Sequence, residues 1–513
     1  MRIEAVKAFV LKVPYPIALH QRQYLAVVGG SVALGLAAPP FNVWPLAWIA
    51  LIGLWLCALE LTPKRGFFLG WLLGTGYHLI LLQWLLGIHP LEWMGIPWWP
   101  SLGIALGLWT LISAFEGLTI GLWAMAMSWV AKRCSVPLRI IFGVGLWLGL
   151  HWFWHQGDLA FPWADLALTQ TSNLWALQGV NLSGAAGLTG LVVAVNGLWA
   201  ESIRARTWRS AGVAAVILGV WCGYGFWRLN TFQETEPPLT LGIVQGNISQ
   251  QKKWAPNSLN EIIRTYTKGY VALSEQGVTA VIIPETAIPV LWDRALASSL
   301  GKALVQKKTP LFLGAFGQRQ DQLSNTLFAL DGTGMVQGQY DKDHLVPLGE
   351  QIPYKQFFGA LIQKFSPLKA ELADGASSQQ FNSPLGKVAA GICYDSAFGL
   401  GFRTPVAQGA GWMVSVTNDG WFGPAMPAQH HGHEILRATE TDRWLVRASN
   451  TGTSGSISPT GKTAILSPRD QYRALVTTIH PRNSHTLYVE WGDWITPLVG
   501  SLGILIGIST LRR

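Results

Sequence analysis

The first 230 residues are dominated by apolar runs long enough to cross the ~30 Å hydrocarbon core of a bilayer. They lie near 24–39, 44–60, 66–87, 100–130, 137–154, 183–202 and 211–227, and an eighth follows near 493–510. The pattern predicts about eight transmembrane helices, seven before residue 230 and one after residue 490. The 100–130 run exceeds what one span needs, so it is either tilted or broken around Phe115-Glu116-Gly117. The small residues of Ala33–Ala38 suggest a cleavable signal, but the next run begins almost at once, so the segment reads as an anchor.

Between about 239 and 480 the pattern changes to short β-rich runs separated by amphipathic stretches. Strands are expected at Leu239–Val244, Val278–Pro284, Pro310–Phe316, Thr326–Leu330, Lys387–Ile392 and Met413–Thr417, with helices at Leu259–Ser274 and His430–Leu445. This spacing suggests a layered α/β domain. The organisation is therefore a polytopic helical membrane domain over 1–230, an α/β domain over 231–490, and a last span with its tail over 491–513.

Half of all residues are hydrophobic, only 13% are charged, and there are 27 tryptophans, which moves the chain away from soluble averages toward membrane proteins. The formal charge of +9 does not signal nucleic acid, because the cations of the first half gather in short alternate loops. These hold Arg2, Lys7, Lys12 and Arg22, then Lys64 and Arg65, then Lys132, Arg133 and Arg139, then Arg204, Arg206 and Arg209. The intervening loops 40–43, 88–99 and 155–182 hold none. By the positive-inside rule the N-terminus is cytoplasmic, 231–490 lies outside, and Arg512 and Arg513 return to the cytoplasm. Arg228 is the exception, a cation on the outer side of its span.

Cys393 is the one cysteine of the polar region, the others (Cys57, Cys134, Cys222) lying in or beside apolar runs, so a disulfide within that region is excluded. It ends the run Val388–Ile392, as a nucleophile delivered by a buried strand would. Glu285 follows Val281-Ile282-Ile283-Pro284, and Lys342 stands in Tyr340-Asp341-Lys342-Asp343-His344. Taken singly, a strand-end Glu or Lys is ordinarily a solvated charge and a lone Cys ordinarily packing. Together a carboxylate, an ammonium and a thiol are the set that acyl transfer needs: a base, an oxyanion partner and a nucleophile. A free thiol is only a few per cent ionised at neutral pH, so the base and the cation matter.

The order and surroundings of Pro284-Glu285-Thr286, Lys342 with Pro347-Leu348-Gly349-Glu350, and Ile392-Cys393-Tyr394-Asp395 resemble the nitrilase (carbon-nitrogen hydrolase) superfamily. The whole chain is similar to its membrane branch, the apolipoprotein N-acyltransferases. That likeness rests on Val244-Gln245-Gly246-Asn247 with Trp254, His344–Glu350, Asn418-Asp419-Gly420-Trp421-Phe422-Gly423, Phe161-Pro162-Trp163 with Gln170, and Trp491-Gly492-Asp493. The chain departs from the family pattern at Asp395, usually Glu, and Leu348, usually Phe.

The resemblance implies an αββα sandwich outside a bacterial cytoplasmic (inner) membrane and a Glu285-Lys342-Cys393 triad. It implies a cysteine thioester filled from a phospholipid and emptied onto the α-amine of a diacylglyceryl-modified apolipoprotein, with no cofactor and no metal. Glu350, Tyr394 and Asp395 are implied to shape the site, and Trp254, Trp421 and Phe422 to line or gate an acyl-chain entrance. A tethered amidase that hydrolyses its acyl-enzyme, and a lipoprotein-binding protein without catalysis, are the alternatives.

Two features stand apart. Glu116, ionisable inside an apolar run, either marks a break or pairs with His78 or His151. The run Gln429-His430-His431-Gly432-His433-Glu434 has the look of a metal cluster, but reads as polar surface at an exposed helix start.

Overall fold

The computed structural model describes residues 19–511 except 320, 355, 357–370 and 378. Arg2, Lys7, Lys12, Arg512 and Arg513, which carry part of the charge asymmetry, lie outside the described residues.

All eight apolar runs form helices. Five are long and apolar enough to cross a membrane: Pro63–Ile88, Trp98–Val130, Val136–Trp154, Val180–Ala205 and Arg209–Thr231. Trp44–Glu60 and Ile495–Thr510 are apolar but shorter, and Leu19–Ala37 opens on the polar stretch Gln21-Arg22-Gln23. The Trp98–Val130 helix continues for 33 residues through Glu116, so of the two readings of this long run, tilted or broken, the broken one is excluded. Glu116 is buried and meets His155 Nε2 at 3.3 Å, not His78 or His151 as its direct partner. It faces a small cavity that Tyr77, His78, Thr119 and His151 also line. Such inward pairing is how an ionisable group is tolerated at this depth.

The polar region builds two six-stranded sheets. The strands are β1 (Leu239–Gln245), β2 (Ala280–Leu291), β3 (Leu311–Arg319), β4 (Gln322–Leu330), β5 (Val336–Asp341), β6 (Phe381–Ser383), β7 (Gly386–Ile392), β8 (Trp412–Thr417), β9 (Leu445–Ser449), β10 (Gly455–Ile457), β11 (Thr463–Leu466) and β12 (Arg473–Ile479). One sheet runs β12-β1-β2-β3-β4-β5 and the other β11-β10-β9-β8-β7-β6. In each, three central strands are parallel (β1, β2, β3 and β7, β8, β9) and the flanking pairs are antiparallel. The period-two alternation of a strand decides which layer each side chain joins. Leu241, Ile243, Ile282 and Phe312 meet Val388, Ile392, Trp412, Val414 and Val416 between the sheets. Val281, Ile283 and Leu313 turn outward onto Ile262, Tyr266, Leu300 and Leu304 of the helices Leu259–Glu275 and Ser299–Lys307.

The outer face of the second sheet carries the helices Leu400–Ala407 and Ala425–Thr441, completing the αββα layers. That face does not meet water. Ala389, Met413 and Leu445 of the sheet, and Ile435, Leu436 and Ala438 of the second helix, share one core with Leu188, Val192 and Val195 of the Val180–Ala205 helix. The expected helix His430–Leu445 therefore starts earlier and stops at Asp442, whose φ of +54° ends it, and Leu445 instead opens β9. Its histidines are buried, not surface polar groups.

Every residue of Ala425–Thr441 except Ala428 is buried, so its polar side chains need partners on both sides. Gln429 fills all of its capacity on the membrane half. Its Oε1 accepts from Trp84 Nε1 (2.9 Å) and Trp163 Nε1 (2.7 Å), and its Nε2 donates to Leu81 O (2.8 Å) and Pro39 O (3.1 Å). At the far end Glu440 Oε1 accepts from Ala185 N (2.8 Å), a donor freed by the kink at Gly184. Just beyond, Asp442 pairs with Arg228 at 2.6 Å, which gives a buried carboxylate partner to the cation that departs from the loop charge pattern.

Gln429→Leu should lower the thermal unfolding midpoint of the purified protein, because two buried indole N–H groups lose their acceptor at about 1–3 kcal/mol each. A midpoint equal to that of the wild type would show that this amide does not hold the two halves together.

Candidate active site

Pairing between β2 and β3 is regular up to Ile283↔Leu313 and resumes at Ile288↔Ala315, so Pro284–Ala287 bulges out of the ladder. Thr286 sits there at φ +37°. The close approach leaves no room on the neighbouring strand: a Cβ on Gly314 would lie 1.9 Å from Pro284 O. The bulge turns Glu285 toward the end of the sheet. Lys342 follows β5 directly, with its N–H bonded to Asn325 O (2.9 Å). Cys393 follows β7, at the same end as Asn418 after β8 and Asn450 after β9. Open α/β sheets gather ligand groups at the carboxyl ends of their parallel strands in this way.

Lys342 is 1% exposed, and its Nζ bridges two carboxylates, Glu285 Oε1 at 3.3 Å and Glu350 Oε2 at 2.8 Å. Burial alone would lower its pKa, but Glu350 and then Glu285 outweigh that and hold it well above the usual lysine value. The two carboxylates therefore favour the charged ammonium. Asn325 Nδ2 donates to the same pair, to Glu285 at 2.7 Å and to Glu350 at 3.3 Å. Glu350 Oε2 also accepts from Val346 N at 2.9 Å, which fixes the loop between them.

Cys393 is 7% exposed and adopts φ +52°, a left-handed conformation unusual for a side-chain-bearing residue. Burial, then Glu285, push its thiol up, and Lys342 acts in the opposite sense. All three predicted residues thus act on one another, and the thiol rests protonated. Asp395 holds the turn: its Oδ2 accepts from Ile392 N (2.9 Å) and Tyr340 OH (3.0 Å), its Oδ1 from His344 N (2.7 Å). These bonds occupy the carboxylate, so it supports the turn from behind.

Tyr394 points the other way, its hydroxyl donating to Ala160 O (2.6 Å) and its ring lying against Phe161 and Trp163. Phe422 packs edge-on against Trp84 (4.8 Å between centroids), and Gly423 N donates to Trp84 O (3.0 Å). The Asn418–Gly423 loop is thereby docked onto the membrane half, with Trp421 half-buried in it. Trp254 is 46% exposed and its ring lies near Phe316.

The three histidines of the apparent metal cluster diverge. His430 Nε2 donates to Cys393 O (2.9 Å), His431 Nε2 meets Thr463 Oγ1 (2.8 Å), and the His433 ring lies on Trp163 (4.8 Å). Among the described residues no group of three or more His, Cys, Asp or Glu side chains is arranged to hold a metal ion.

Lys253 and Asn325 are site residues that periodicity did not single out. Lys253 is buried, with Nζ donating to Thr286 Oγ1 (2.6 Å), and burial pushes it down to about 8 against the pull of Glu285. An unfolded lysine keeps its proton to about 10.4, so between these values the unfolded chain binds more protons and stability rises with pH. Wild type should gain stability relative to Lys253→Met as thermal unfolding is followed from pH 7.5 to 10. A constant difference would contradict the buried ammonium.

Sequence comparison supplies a family for this geometry. Residues 30–198 match the "Apolipoprotein N-acyltransferase N-terminal domain" family and residues 240–475 the "Carbon-nitrogen hydrolase" family. A protein of Gloeobacter violaceus named apolipoprotein N-acyltransferase is 47% identical, over 94% of this chain and 92% of its own length. One of Nostoc sp. with the same name is 39% identical over 92% and 96%, and one of Geobacter metallireducens 30% identical over 94% and 94%. Among solved structures, an amidase from Nesterenkonia sp. is 17% identical over 51% of this chain and 94% of its own, with a TM-score of 0.39, too loose a likeness to add weight. With the two matches falling on the helical half and on the two-sheet unit, and relatives aligned almost from end to end, the chain belongs to the apolipoprotein N-acyltransferase family.

Proposed function

We propose that this protein transfers an acyl chain from a membrane phospholipid to the α-amine of the diacylglyceryl-modified cysteine of apolipoproteins, through a thioester on Cys393. The observation that carries the reading is the Lys342 ammonium shared by Glu285 and Glu350 beside a strand-end thiol. That cluster stands on a turn bonded to the membrane half through Tyr394 and Ala160.

Because the thiol rests protonated, Glu285 takes its proton as the sulfur attacks the ester carbonyl. Lys342 and a backbone N–H beside Cys393 stabilise the oxyanion of the tetrahedral intermediate. Collapse expels the lysophospholipid oxygen, which takes the proton from Glu285, and the acyl group remains on sulfur. The neutral α-amine then attacks the thioester, gives its proton to Glu285, and the departing sulfur receives that proton. Glu350 keeps Lys342 charged and oriented through both halves.

The same reading gives a membrane unit over 1–230 with seven spans, a catalytic unit over 231–490 and an eighth span within 491–513. The charge asymmetry favours cytoplasmic termini and a catalytic unit on the outer side of a bacterial cytoplasmic membrane. Donor and acceptor are both confined to the bilayer, so a site fixed at its surface replaces diffusion from water by effective concentration. Trp254, Trp421 and Phe422 would border the acyl chain's way in.

Incubating the purified protein with phospholipid and no acceptor should add one acyl mass, mapped to Cys393. Cys393→Ala should show none, and Glu285→Gln should form it roughly 10²–10⁴-fold more slowly, as loss of a general base does. An acyl adduct on another residue, or undiminished labelling of Cys393→Ala, would refute the assignment.

A further inference from the structure

A left-handed conformation at a residue with a side chain costs on the order of 1–3 kcal/mol and persists only where the surroundings over-determine it. At Cys393 two contacts do so. Upstream, Asp395 accepts from Ile392 N. Downstream, His430 Nε2 lies 2.9 Å from Cys393 O, and since a carbonyl only accepts, the ring nitrogen is the donor.

His430 is completely buried and is itself held from behind. Its Nδ1 faces Asp419 Oδ1 at 3.0 Å, with Thr417 Oγ1 at 3.5 Å and an Arg447 nitrogen at 3.4 Å. Asp419 accepts from Thr417 Oγ1 at 2.9 Å and pairs with Arg447, which pairs in turn with Glu434 at 2.7 Å, one helical turn beyond His430. Burial alone would raise the Asp419 pKa, but Arg447 and then His430 outweigh it and keep the carboxylate ionised. The chain from Arg447 through Asp419 to His430 therefore ends on one atom, the carbonyl oxygen of Cys393.

A trans peptide is planar, so its C=O and the following N–H point in opposite directions. Fixing Cys393 O against His430 fixes the Tyr394 N–H on the side away from the helix. We propose that His430, backed by Asp419, is a positioning residue for acyl transfer: it sets the plane of the Cys393–Tyr394 peptide and so aims the Tyr394 N–H at the oxyanion. The inference rests on the acyl-transfer reading given above. It assigns the Ala425–Thr441 helix a part in the chemistry without contact with substrate.

The test compares two reactions of the same sulfur in the full-length protein. Acylation by phospholipid develops an oxyanion and needs the aimed N–H. Alkylation by iodoacetamide displaces iodide and needs none. His430→Leu should acylate roughly 100-fold more slowly, the loss typical of an oxyanion donor, while its alkylation rate stays close to wild type. His430→Gln, whose amide can reach the carbonyl, should recover most of the acylation. His430→Asn, too short to reach, should not, and this pair carries the test if the leucine variant does not fold. Acylation by His430→Leu at the wild-type rate, a parallel fall in both reactions, or equal rates for the Gln and Asn variants would each overturn the inference alone. A wild-type protein that alkylates at Cys393 but never acylates there would overturn the acyl-transfer reading, and this inference with it.

Discussion

A helix with water on neither side has to satisfy its polar side chains from whatever packs against it, and the Ala425–Thr441 helix is in that position. It lies between the second sheet and the membrane helices. Residues three and four apart share a helical face, and the two faces are wired separately. Gln429 and Glu440 bind the membrane half, at Trp84, Trp163 and Ala185. His430 and Glu434, one position on from that row, bind the sheet side through Cys393 O and Arg447. The strand end that carries Cys393 and the apolar helices of the first half are thus referenced to one rigid element. Moving either would leave buried donors or charges unpaired, at a cost of several kcal/mol for the charges.

Strain and charge are concentrated where that element meets the strand ends. Cys393 and Thr286 both have positive φ, one on each sheet, and each is held by a buried group, His430 and Lys253 respectively. Between them the Lys342 ammonium serves Glu285 and Glu350 together. A thiol kept protonated by burial resists oxidation until a base removes its proton. The same burial strengthens each electrostatic contact during reaction, because little water remains to screen it.

Much of this was legible in the residue pattern. The eight apolar runs are all helical, and the six expected strands are present as β1, β2, β3, β4, β7 and β8: five are buried parallel strands, which read as uninterrupted apolar runs, and Thr326–Leu330 is the buried end of antiparallel β4. The strands that were missed, β5, β6 and β9 to β12, are short, polar or edge-lying, and carry no such run. Glu285, Lys342 and Cys393 stood out as polar residues ending apolar runs. Asn325 and Lys253 did not, since an amide inside a strand and a lysine on a one-turn helix look like ordinary surface until a bulge brings Glu285 to them. His430 misled for a related reason: polar residues on a helix imply solvent unless something polar packs on the other side. Here Asp419, Arg447 and a backbone carbonyl do, and those contacts are set by tertiary structure alone.

In the proposed mechanism the acyl group stored on Cys393 is delivered to an amine and not to water. The most direct measurement isolates the acyl-enzyme, free of phospholipid, and mixes it with a diacylglyceryl-cysteine peptide while fatty acid, N-acyl peptide and protein mass are followed together. Acyl mass should leave the protein at the rate at which N-acyl peptide appears, and without peptide the thioester should persist. Release as free fatty acid at the same rate with or without peptide would contradict that mechanism and identify a hydrolase.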